Sequence, residues 1–138
     1  MKPIEGEAPM FEKLEIFRMA QAMAAHAGAR QAVVARNMAN ADTPGYAARD
    51  IAPFAEAYQG QDRRFAARAT RAAHLTGAPG GGGFETVRRP GGMSDPNGNS
   101  VSLEAEMLNA VEVKRQHDRA IAIYKSGLTI LRAAAGRR

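Results

Sequence analysis

The chain contains no cysteine and no tryptophan among its 138 residues. That removes disulfide frameworks, thiolate metal sites and a cysteine nucleophile from consideration, and leaves the redox compartment open. Aromatic residues make up only 6%, and much of the 45% apolar content is alanine, which buries little area per side chain. Helix-on-helix packing suits that inventory better than a thick mixed core. No apolar run approaches the ~20 residues needed to span a bilayer. The opening residues, with Pro3, Gly6 and Pro9, lack the apolar h-region of a Sec signal peptide and read as a flexible lead over residues 1–9. The net charge of +5 is spread along the chain and gathers into no strongly basic block, so a nucleic-acid stripe lacks support from any module signature.

Catalytic constellations are missing as well. His26, His74 and His117 fall in different segments, without HExxH spacing or a His/carboxylate cluster. Residues 77–83 hold five glycines, yet Gly83-Phe84 stands where a phosphate loop needs Lys-Ser/Thr, so this stretch reads as linker. No Gly-x-Ser-x-Gly elbow is present. Glu104 and Glu106, two apart, point to different sides of a helix and read as charge favouring a helix N-terminus. No enzyme, cofactor or metal site is expected. The best nucleic-acid candidate, Arg63, Arg64, Arg68 and Arg71 around Phe65, reads better as a solvated helix face beside Glu56 and Asp62, and no nucleic-acid partner is expected.

What is present is helix. From Met10 to Ala41 no proline intervenes, and Ala, Met, Glu, Gln and Arg dominate. Apolar residues fall on two overlapping seams, one through Ile16, Met23 and Val34, the other through Leu14, Phe17 and Met38. Two seams imply two sets of partners. A second helix is expected from an N-cap at Ser102 to about Ala135. Its seam runs through Met107, Ala110, Lys114, His117, Ile121, Tyr124, Leu128 and Leu131 at alternating three- and four-residue steps. Two helices of roughly 50 Å predict an all-α chain whose ends pair as an antiparallel, coiled-coil-like hairpin. Residues 10–46 supply the first helix and its turn, and 101–138 the second. Residues 47–100 read as an irregular, partly disordered insert, with a short helix near Arg63 to Arg71 and at best a weak hairpin around Thr86 to Pro96. A lone hairpin with alanine-rich seams is marginal, so neighbouring subunits are expected to complete its order.

The first helix runs into Asn37-Met38-Ala39-Asn40-Ala41-Asp42-Thr43-Pro44-Gly45-Tyr46. Pro44 disfavours helix at Thr43, and Pro-Gly fits the centre of a type II turn, so the chain is redirected before Tyr46. Asn37 and Asn40 lie three apart on one face and form a candidate packing node. These ten positions closely resemble the N-terminal signature of bacterial flagellar rod and hook proteins. Gly98-Asn99-Ser100-Val101-Ser102-Leu103-Glu104-Ala105-Glu106-Met107 supplies a second match near the other end.

The resemblance covers about residues 1–54 and 98–138. It implies a structural, non-enzymatic subunit of the flagellar basal-body rod, which crosses the periplasm as the drive shaft for motility. Distal rod and hook proteins carry Tyr-x-Ala-Asn in the C-terminal helix, where this chain has Ile123-Tyr124-Lys125-Ser126. That departure implies the proximal-rod branch, with FlgC-like rod subunits as runner-up. Outside the family, a small helical adaptor or nucleic-acid binder is the other reading. Partners implied are further copies of the chain, related rod proteins, the adaptor FliE between rod and MS ring, and the flagellar type III export apparatus. Export would proceed without a cleaved Sec signal. Phe11 and Leu14 are similar to the short apolar segments by which such substrates dock on the export gate, and read equally as helix core.

Overall fold

The computed structural model describes residues 8–62, 84–90 and 92–136, with backbone alone over 8–11 and 60–62. The expected helix at Arg63 to Arg71 and the basic cluster on it lie outside the described residues, as do His74 and the glycine run at 77–83. Helix α1 spans Ala8–Ala39 and is followed by strand β1, Arg49–Ile51, and helix α2, Phe54–Asp62. Strand β2, Thr86–Arg88, and helix α3, Leu103–Ala135, complete the order. The two long helices pack against each other along their length, forming the expected all-α hairpin.

Its buried line is spaced by sevens. On α1 it comprises Ala20, Ala27 and Val34, and on α3 Glu106, Val113 and Ala120. Gly127 continues the α3 line where the Phe17 ring presses in; a Cβ there would sit 3.0 Å from ring carbons. Phe17 meets Tyr124 edge-to-face at 5.2 Å. The seam expected on α3 is displaced by one residue from this line. Met107 (57% exposed), Ile121 and Tyr124 remain exposed, while Leu128 and Leu131 are half-buried. On α1, Val34 is buried, Met23 half-buried and Ile16 exposed. The reason is chemical. The buried α3 line holds a carboxylate, a valine, an alanine and a glycine, so a reading that ranks apolar residues selects the richer neighbouring line.

The middle of the chain carries more structure than its sequence pattern suggests. β1 and β2 pair antiparallel, with Arg49 opposite Arg88 and Ile51 opposite Thr86. Strands of three residues are too short to leave an alternation pattern, and β2 pairs with the distant β1 in place of the weak local hairpin. α2 starts after Pro53, whose carbonyl accepts the N–H groups of Glu56 and Ala57. This middle strap lies against the α1 residues that precede the buried line. His26, fully buried, donates from Nε2 to the Ala52 carbonyl at 2.7 Å and meets the rings of Phe54 and Phe84 edge-on. Tyr58 donates to Glu15 at 3.3 Å.

Candidate functional site

Helix α1 ends as the sequence suggests. The Asn40 N–H bonds the carbonyls of Arg36 and Asn37, and the Asn40 side-chain amide donates to the Arg36 carbonyl at 2.8 Å. Thr43 donates its hydroxyl to Asn40 Oδ1. Gly45 takes φ +73°, and the Tyr46 N–H returns to the Thr43 carbonyl at 3.2 Å, closing a turn with Pro44-Gly45 at its centre. Ala39, Thr43 and Pro44 are exposed, and Met38 is half-buried.

The second signature stretch folds onto the first. Asn99, fully buried, donates its amide to the carbonyls of Asn40, Ala41 and Thr43 at 2.8–2.9 Å. Those carbonyls follow the last helical residue, Ala39, so one side chain gathers the turn just past the end of α1. Its Oδ1 accepts the Val101 N–H at 2.8 Å. Gly45 donates its N–H to Asn97, Ser100 donates its N–H to Tyr46, and the Ser100 hydroxyl accepts the Ala48 N–H. Gly98, also at positive φ (83°), lies where a Cβ would be 3.4 Å from the Gly45 Cα. The two turn glycines therefore sit against each other.

Beneath the turn, Asn37 spends every hydrogen-bonding position it has. Nδ2 donates to the Arg49 carbonyl (2.8 Å) and to Glu106 (3.2 Å). Oδ1 accepts the Arg49 N–H (3.1 Å) and the Tyr46 hydroxyl (3.3 Å). The amide thus pairs with β1 as a neighbouring strand would. Glu106 also accepts from Arg89, which reaches Asp50 at 3.4 Å. Asp50 in turn pairs with Arg30 (3.1 Å), and Arg30 approaches Glu112 at 3.8 Å. Burial pushes the Asp50 carboxyl up, but the Arg30 guanidinium, the Ile51 N–H and the charge of Arg89 outweigh it and hold the group below its usual range. Glu106, read from sequence as helix-terminus charge, is a buried latch residue at 0% exposure. The N-terminus of α3 is instead served by Ser102, which accepts the Ala105 N–H, and by exposed Glu104, whose own N–H and Ser102 lower its pKa. Sequence reasoning also passed over Arg30, Asp50 and Arg89. A charged residue on a helix, such as Arg30, or in an irregular stretch, such as Asp50 and Arg89, carries no signal until the chain brings them together.

The opposite flank is bare. Residues that follow the buried line, Gly28 on α1 and Met107 and Ile121 on α3, are exposed. Ala27, Gly28, Gln31, Ala110, Val111, Lys114 and His117 line an open groove there. A Cβ added at Gly28 would meet nothing within 4 Å. At the open end, Ile16, Phe17, Ile123, Gly127 and Ile130 line a second groove. Among the described residues no group of three or more His, Asp or Glu side chains could hold a metal, and no helix is long and apolar enough to cross a membrane.

A paired-helix rod element, latched at its turn and bare along one flank, defines a structural protein built for helix-to-helix contact. The family model for "Flagella basal body rod protein" matches residues 19–46, the stretch of α1 that ends in the turn. The flagellar basal body rod protein FlgB of Agrobacterium fabrum is 34% identical over 119 residues, covering 83% of this chain and 88% of the relative. The chain belongs to the flagellar basal-body rod family, on the FlgB-like side, and is a structural rod subunit of the flagellum and not an enzyme.

Proposed function

We propose that this subunit occupies the proximal rod, with the strap-covered flank of the hairpin turned inward to its own chain and the bare flank packed against neighbouring rod subunits. The observation that carries the reading is the apolar surface left open on the side of Gly28, Leu14 on α1 and Met107, Val111, Ile121 and Tyr124 on α3. Exposed patches of this extent mark interaction surfaces. The turn, Asn37 through Tyr46, acts in this reading as the node that fixes how the chain leaves α1 and so how the flank is presented. Because the chain has no cysteine of its own, Val111→Cys and Ile121→Cys are clean crosslinking probes in basal bodies. Crosslinks to adjacent rod subunits are expected from both, and none from Asn97→Cys at the latched end. Absence of crosslinks from both flank positions would remove the reading.

The finer partners follow the same family. The chain leaves the cytoplasm through the flagellar type III apparatus, enters the periplasm-spanning rod, and meets FliE at the MS-ring end. Leu14 is 56% exposed in the hairpin, available to a docking contact before assembly. Phe11, its proposed companion, has its side chain outside the described residues. Phe11→Ala combined with Leu14→Ala is expected to lower secretion at unchanged intracellular level. Normal secretion of the double variant would separate export from this segment.

A further inference from the structure

We infer that Arg89 makes closure of the hairpin at its turn end conditional on docking of β2. Glu106 sits on the buried heptad line in the first turn of α3 and faces Asn37 of α1. A buried carboxylate loses its hydration and is strongly disfavoured unless a counter-charge compensates it. Asn37 offers a neutral amide. Arg30, the other cation nearby, is held by Asp50 and Glu112. Among the described residues, the full positive charge on Glu106 comes from Arg89 alone.

Arg89 belongs to neither helix. It follows β2, is pinned by its own N–H to the Ala48 carbonyl at 2.9 Å, and reaches Asp50 of β1 as well as Glu106. One guanidinium therefore closes a relay from α1 through Arg30 and Asp50 to α3. With β2 undocked, Glu106 loses its counter-charge and has to swing out to water, which lifts the first turn of α3 from Asn37. The far end of the hairpin, held by Phe17 against Tyr124 and Gly127, lies outside the relay. The middle segment is thus a fastener for the helix pair, which a chain of two self-sufficient helices would not need.

Hydrogen exchange on the full-length chain near neutral pH tests this. Arg89→Ala is expected to speed exchange about 100-fold or more at residues 33–40 and 103–113, and to leave 120–127 at the wild-type rate. Arg89→Lys, which keeps a charge but loses the two-handed fork, is expected to fall between. Adding Glu106→Gln to Arg89→Ala removes the uncompensated charge and is expected to restore protection at the turn end. Three results would overturn the inference: turn-end exchange unchanged in Arg89→Ala, acceleration spread evenly along both helices, or no restoration by Glu106→Gln, which would assign Arg89 a packing role only.

Discussion

Two asparagines three residues apart in one motif do different work. Asn37 is fully buried and satisfies a strand edge, a tyrosine hydroxyl and a carboxylate, whereas Asn40 bonds chiefly within its own helix end. Removing Asn37 leaves several buried partners unsatisfied at about 1–3 kcal/mol each before relaxation, so Asn37→Ala is expected to destabilise the chain by about 3 kcal/mol. Asn40→Ala removes a local cap and is expected to cost about 1 kcal/mol. Chemical denaturation of the two variants checks the ranking, and equal losses would contradict it. The pair was legible in the sequence as a node, but not its inequality. Burial of one amide depends on Glu106 and Arg49, which are brought to it from elsewhere in the chain. At Asp50 the lowered pKa has a definite sign. The stabilisation is complete above the usual value of 3.8 and is lost as pH falls through the lower folded value. Asp50→Asn is therefore expected to narrow the stability gap between neutral and strongly acidic pH. A variant as acid-sensitive as wild type would show that other carboxylates control the transition.

The helices and the turn between α1 and β1 were the most legible elements, because propensity over thirty residues and a Pro-Gly stop agree with each other. Gly45 at φ +73° has open space where a Cβ would go, so substitution there is resisted by backbone torsion and not by collision. A left-handed conformation costs a non-glycine residue about 1–2 kcal/mol, and a β-branched one more. Gly45→Val is accordingly expected to impair swimming far more than Ala47→Val, two residues on in the extended exit. Equal motility in soft agar would remove the turn argument. The strands were illegible for the opposite reason. Three-residue segments carry no period, and their pairing is fixed by long-range bonds, among them the Asn37 amide on the outer edge of β1. The displacement of the α3 seam has a related cause. The line that packs within the chain accepts small residues and a paired charge, leaving the more apolar line free.

At the scale of the molecule, the chain divides its surfaces. The strap covers one flank of the hairpin through His26, Val33 and Asn37, and the other flank keeps large apolar side chains in water. The internal seam is thin. Its buried apolar members are Ala20, Ala27, Val34, Val113 and Ala120, so at ~25 cal/mol per Å² contact with neighbouring subunits adds burial that the hairpin by itself does not contain. Family membership fixes what those neighbours build, and the central claim is that this chain is a structural part of the rod. Electron microscopy of basal bodies from a strain lacking the chain tests it most directly. The account predicts MS rings without rods and non-motile cells, with rods and motility restored by the wild-type chain. Complete rods in the deletion strain would contradict it.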